Sequence, residues 1–176
     1  MKKVIFVLLP LLLITACDDN NLASSNKQNT SWLFVANEGS YGASNGSISM
    51  INDFGEVYET EPIGDIVQSL AVYQDKLIVL INNSHKIKFY DITSEGLAMP
   101  GIEISTDGSS PREMVVVDGN LYFTNWISSD VKVFNLETYN LDHTIPVGPM
   151  LKGFTQMVLH YGLLIVEEQQ YLKLIS

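Results

Sequence analysis

Two sets of residues in this 176-residue chain could do chemistry, one by reaction and one by recognition. The reactive set is sparse. His85, His143 and His160 are scattered at spacings unsuited to a shared metal. Cys17 is the only cysteine, which excludes an internal disulfide and a thiolate metal site. No CxxCH, GxSxG or phosphate-loop pattern occurs. Asp107, Asp118, Asp130 and Asp142 fall at expected turns, where aspartate bonds its own backbone, and Glu167-Glu168 is only a charged pair. These residues predict neither an enzyme nor a bound cofactor. The recognition set is richer: Trp126, Tyr41, Arg112, Asn83, Asn45 and His85. Aromatic faces beside amide donors suit a large, flat, neutral, hydrogen-bonding small molecule. Trp126 leads this set because it directly follows a strand end, whereas Trp32 starts a strand and is expected to pack between blades.

These candidates are far apart in the chain, so a fold must gather them. From Trp32 onward, short runs of β-branched and aromatic residues alternate with Gly, Asn, Asp and Pro, and no long segment has helical periodicity. A repeat is visible. Residues 76–82 (KLIVLIN) precede 86–91 (KIKFYD), and 120–125 (NLYFTN) precede 130–135 (DVKVFN), about 44 residues later. An earlier copy runs over 32–37 and 47–52. A period of about 44 residues with about four short strands predicts an all-β fold of four-stranded antiparallel propeller blades. In the third copy the strands are expected at 112–118, 120–126, 130–136 and 141–148, and in the second at 66–73, 76–81, 86–92 and 99–105. The first copy starts at its second strand. Three incomplete blades cannot close a ring, which needs at least about four, so a fragment of a larger ring is expected. In a propeller, the loops at 37–46, 82–86 and 125–130 share one face with the connections at 64–67 and 106–112. That face collects the recognition set.

The amino terminus carries a different signal. Lys2 and Lys3 precede eleven apolar residues, 4–14, the length of a signal-peptide core and too short to span about 30 Å of hydrocarbon. Ile14-Thr15-Ala16-Cys17 follows and is similar to a bacterial lipobox, which predicts lipidation of Cys17 and anchoring in a bilayer by several acyl chains. Residues 1–16 are then the signal peptide, 17–31 a polar tether, 32–150 the blades and 151–176 a separate tail. From Cys17 onward eight basic residues face twenty acidic ones, a balance of about −12 that excludes a nucleic-acid footprint. Asp18 and Asp19 after the cysteine are compatible with inner-membrane retention in some bacteria and surface export in others.

Residues 32–39 (WLFVANEG), 121–125 (LYFTN) and 145–148 (IPVG) resemble YVTN-type seven-bladed β-propellers. With the lipobox, Asn37-Glu38-Gly39 and residues 64–69 (GDIVQS) resemble outer-membrane lipoprotein propellers, some of which capture cobalamin beside a TonB-dependent transporter. The resemblance covers about residues 17–150. It implies a surface lipoprotein that captures a nutrient, a corrinoid or a glycan, for such a transporter. An interaction or adhesion scaffold of the envelope is the alternative, and a propeller lyase, lactonase or quinoprotein dehydrogenase a more distant one. After Met150 a proline and a new innermost strand are expected, as at Pro111-Arg112-Glu113-Met114, but the register is lost. Read from the third base of each codon, the residues after 150 permit Pro-Glu-Gly-Phe-Tyr, later Gly and Leu-Trp-Val-Ala-Asn, which would restore the repeat. A frame-shifted or divergent tail is expected.

Overall fold

The computed structural model describes residues 31–148 in full, and of the tail it describes the backbone of Gly153–Leu159, Gly162–Val166 and Leu172–Ile175. The expected signal peptide, Cys17 and the tether up to residue 30 lie outside the described residues, as do the side chains of the expected aberrant tail. The first sheet holds β1 (Trp32–Asn37), β2 (Ser47–Asn52) and β3 (Val57–Glu59). The second holds β4 (Val67–Tyr73), β5 (Lys76–Ile81), β6 (Lys86–Thr93), the two-residue β7 (Gly96–Leu97) and β8 (Ile102–Ser105). The third is β9 (Pro111–Val117), β10 (Asn120–Asn125), β11 (Asp130–Asn135) and β12 (Asn140–Pro146). In the tail, β13 (Gly153–Leu159), β14 (Gly162–Val166) and β15 (Leu172–Ile175) form a fourth sheet of backbone pairing. All strand pairs are antiparallel and join consecutive strands, except that β6 pairs with both β7 and β8, and the described residues contain no helix. The chain is a β-propeller fragment.

Strand register carries the sequence repeat into space. Val79 pairs with Lys88 in the second blade, and Phe123 pairs with Lys132 in the third. Val35 pairs with Ser49 in the first. β5 and β10 each pair with a strand on both sides, β4 and β9 being the inner neighbours. Among the described residues, β1 pairs with β2 alone.

Side-chain alternation decides which sheets can stack. Every residue of β5 from Leu77 to Ile81 is buried, with Val79, Leu80 and Ile81 fully so. Because strand side chains alternate, Leu77, Val79 and Ile81 pack with Ile48, Val67 and Tyr90, joined by Phe34 and Met50 of the first sheet. Ile78 and Leu80 enter the opposite core with Phe89, Leu121, Phe123 and Phe134. There Phe89 stacks on Phe134 at 5.9 Å between centroids, and Tyr139 meets both rings edge-on. Burying a large apolar side chain is worth roughly 2 kcal/mol, so β5 alone is a major source of cohesion between blades. Trp32 sits where the first sheet meets the second: its indole N–H donates to the Thr93 carbonyl at 3.0 Å and its ring meets Tyr58 edge-on.

The structure departs from the sequence expectation in places that have local causes. The outermost strand of the second blade begins at Ile102, not 99. Pro100 offers no N–H to a ladder, and Gly101 has φ +76° with its α-carbon so placed that a Cβ would lie 2.5 Å from the Phe89 carbonyl and 2.6 Å from the Tyr90 ring. β7 was not anticipated, since two residues leave no periodic signal. Asp107 and Asp118 do occupy turns at positive φ. Asp130 opens β11 where the loop enters it, Asp142 lies within β12, and the buried Asp130 carboxylate accepts from the Asn125 side chain at 2.8 Å.

Two consequences can be measured. The fully buried Tyr90 has a hydroxyl with no partner among the described residues, and burial, aided by the charge of Glu103, pushes its pKa up to about 12. Tyr90→Phe is expected to stabilise the fold by about 1 kcal/mol, seen as a higher urea midpoint at unchanged slope; a lower midpoint contradicts it. Burial also holds the Glu113 carboxyl above its ordinary 4.5, against the pull of Arg112. The native state therefore binds the proton more tightly than the unfolded chain, and this contribution is lost as pH rises through the raised value. Glu113→Gln should raise the Tm at neutral pH, with the gain closing as pH falls below the ordinary carboxylate range; a gain independent of pH sinks this assignment.

Candidate ligand-binding face

The loops and blade connections expected on one face are hydrogen-bonded to one another. In the first loop, Gly46 donates to the Gly64 carbonyl at 2.9 Å, and Val67 donates to the Glu38 carbonyl at 3.2 Å. In the second, Asn83 donates to the Asp65 carbonyl at 3.1 Å, and Thr106 donates to the His85 carbonyl at 2.9 Å. In the third, Trp126 and Ile127 donate to the carbonyls of Ser110 and Ser109 at 3.0 and 3.1 Å. Each loop between second and third strands is thus tied to the connection that enters or leaves its blade.

Tyr41 stands at the tip of the first loop and is 80% exposed. The loop that carries it is fixed from both ends. Asn45 turns its carbonyl oxygen inward to accept from the Ser40 N–H at 2.8 Å. Gly39, at φ +80°, must be glycine: a Cβ would lie 2.7 Å from that oxygen and from the Gly46 nitrogen. From the other side, the buried Asp65 carboxylate accepts the Gly42 N–H at 2.9 and 3.1 Å. Asp65 also takes the Asn83 side-chain amide at 2.6 Å, so Asn83 serves the same anchor. The sequence reading passed over Asp65 as an anchor. Its only local mark was a carboxylate following glycine in a blade connection, and its partners lie 23 and 18 residues away.

His85 holds the next connection. It has φ +53°, and its Nδ1 accepts the Ser110 N–H at 3.1 Å with the Ser110 hydroxyl 3.2 Å away. An accepting Nδ1 puts the ring proton on Nε2. The adjoining Ser109 hydroxyl donates to the buried Asn125 carbonyl oxygen at 2.5 Å, and the Asn125 amide reaches Asp130. Asn37, at the equivalent strand end in the first blade, donates to the hydroxyls of Ser47 and Ser49 at 3.0 and 2.9 Å.

Trp126 is 45% exposed and Ile127 is 68% exposed, side by side at the tip of the third loop. The Arg112 guanidinium lies over the Trp126 ring, 5.0 Å from its centroid. Arg112 reaches it from a bulge: Arg112 and Glu113 together oppose Thr124, because Pro111 pairs with Asn125 and Met114 with Phe123. Of the six sequence candidates, Arg112 and Trp126 are in contact, and Tyr41 is free at its loop tip. Asn45, Asn83 and His85 have side chains engaged in holding loops. Ile127 is an exposed addition that its apolar character alone did not distinguish. Among the described residues, no three His, Cys, Asp or Glu side chains gather as they would to hold a metal.

No family model and no curated protein matches this chain. Solved structures do. It is similar to a structure from a nidogen–laminin complex, with a TM-score of 0.56 at 14% identity, over 69% of this chain and 46% of that one. It is similar to a luciferin-regenerating enzyme, with a TM-score of 0.53 at 14% identity, over 62% and 39%. It is similar to a streptogramin B lyase, with a TM-score of 0.53 at 12% identity, over 85% and 60%. The chain spans about half the length of these structures, which include enzymes and a binding partner in a complex alike. The likeness establishes the fold: a propeller.

Proposed function

We propose that this chain is part of a lipid-anchored surface propeller that captures a nutrient on its loop face, a corrinoid or a glycan, and delivers it to a TonB-dependent transporter without catalysing a reaction. The observation that carries the binding reading is the contrast on one face between engaged and free side chains. The groups with the chemistry for catalysis, His85, Asp65 and Asp130, are occupied by loop hydrogen bonds. The groups left free are aromatic, apolar or cationic: Tyr41, Trp126, Ile127 and Arg112. Such surfaces gain affinity by covering ring faces. Anchoring and the surface location rest on the lipobox at Ile14-Thr15-Ala16-Cys17 and on the resemblance to lipoprotein propellers.

A second reading, a protein-interaction scaffold, draws on a specific feature of the first sheet. Leu33, Ile51 and Val57 form a cross-strand row, with Leu33 60% and Val57 64% exposed, and Val35 is also exposed. Apolar rows of this kind are suited to a protein partner.

Calorimetric titration with cyanocobalamin and with a panel of neutral oligosaccharides separates the two. Binding by one of them that weakens at least about tenfold in both Trp126→Ala and Tyr41→Ala, with Tm unchanged, is the expected result. Binding indifferent to both variants removes the loop face from consideration, and a partner retained on Leu33 and Val57 without ligand favours the scaffold. Anchoring has its own check: tritiated palmitate should label the chain in cells and fail to label Cys17→Ala.

A further inference from the structure

Arg112 is the only arginine in the chain, and it is the one described cation without an oxygen partner. Lys76 pairs with Asp91, and Lys86 and Lys88 both pair with Glu103, at 2.5 and 3.2 Å. Lys132 donates to the Thr106 carbonyl at 2.9 Å. Among the described residues, Arg112 has the Trp126 ring as its close contact, and its charge acts on the neighbouring Glu113 carboxyl without forming an ion pair. A guanidinium keeps its charge and carries five donors and no acceptor, so a partner must supply oxygens. The contact with the ring uses no N–H···O bond, so the donors of the guanidinium remain available to oxygens.

The protein does not satisfy that edge itself. The buried Asp65 is taken by Gly42 and Asn83, and the buried Asp130 by Asn125. Glu113 follows Arg112 in the same bulge yet makes no ion pair with it. The loop bearing Trp126 is meanwhile held by its backbone bond to Ser110, which His85 fixes in turn. A free fork beside a half-exposed indole, both on fixed backbone, is preorganised for an anion carried on a ring.

We propose that Arg112 and Trp126 form one recognition site for a ring that bears a carboxylate, a hexuronic acid unit being the glycan form of that chemistry. The indole takes the apolar face of the ring, and the guanidinium fork takes the two carboxylate oxygens. This rests on reading the loop end as a ligand face, and it puts an acidic ring where the sequence alone suggested a neutral one.

The single arginine makes the test direct, since the Arg112 Nε–H gives one side-chain resonance and the two tryptophans give two indole resonances. The isotope-labelled chain is titrated with galacturonate, its neutral methyl ester and acetate. Galacturonate is expected to shift the Arg112 signal and one indole signal together, with an affinity at least about tenfold above both ester and acetate. Arg112→Gln should abolish the preference for acid over ester while the backbone spectrum is retained, and Arg112→Lys should keep part of it. An ester that binds as well as the acid overturns the role of the guanidinium. Acetate matching galacturonate overturns the role of the ring face. Silence of both signals overturns the site altogether. Corrinoid or neutral-glycan binding that depends on Trp126 and Tyr41 but survives Arg112→Gln leaves the loop face standing and removes this inference alone.

Discussion

A strand buried on both faces cannot exist in a single sheet, and β5 is such a strand. Leu77, Val79 and Ile81 need one apolar wall, and Ile78 and Leu80 need another. The first sheet and the third blade are those two walls. This is why the sequence reads as a continuous apolar run at 77–81, whereas β1, with one face covered, alternates between half-buried and exposed residues. A two-faced strand also has a weakness. A slip of one residue would still present apolar side chains to both cores, so β5 cannot define its own register. Its partner does so. In β6, Ile87 and Phe89 are buried, while Lys86 and Lys88 reach Glu103 on β8, and the lysines hold the Glu103 carboxyl below the usual range. Shifting β6 by one residue would bury the lysines, and the cost of an unpaired buried charge forbids it.

The loop end is held by a different physics. Ser44, Ile66, His85, Ser110 and Ser129 all have positive φ there, between +51° and +61°. For Ile66, a β-branched residue at φ +61°, that conformation is costly, on the order of 1–3 kcal/mol. It persists because its neighbours leave no alternative. The Ile66 carbonyl accepts from the Asn82 N–H at 2.8 Å, Asp65 before it anchors two loops, and Val67 after it is buried. The backbone that carries Tyr41 is held by the Asp65 carboxylate and that of Trp126 by the Ser109 and Ser110 carbonyls, all from connections between blades, and the exposed aromatics inherit fixed positions.

What was legible in the sequence follows from these two regimes. Strand pairs in the blades were readable because alternation and the 44-residue offset are local, and Lys76–Ile81 lies where the pattern predicts it. The face shared by Tyr41, Arg112 and Trp126 was readable because propeller topology alone dictates which loops meet. The employment of individual side chains was not readable. Asn83 and Asn45 have the same chemistry whether they greet a ligand or hold a turn, and only the placement of Asp65 and Ser40 decides. His85 is spent on Ser110, 25 residues downstream, through a contact that exists only after blade packing. Arg112 and Trp126 were both candidates, yet their contact depends on the extra residue in β9 that re-aims the chain at Arg112.

That extra residue has a counterpart. β4 slips by one residue between Val67 and Ser69, at the same end of its blade. A bulge at the loop end of an inner strand adds a residue without altering the pairing farther along, so the core register of β4 with β5, or of β9 with β10, is undisturbed. The interior and the loop end are in this way decoupled. Core residues must satisfy two walls at once and tolerate little change. Residues at the bulge answer only to the loop they face, where Gln68 stands in one blade and Arg112 in the next. A propeller can therefore vary the chemistry of its face blade by blade while the stack beneath it is conserved in geometry. In this chain that freedom has placed a lone arginine against a tryptophan, where packing of the core made no demand for either.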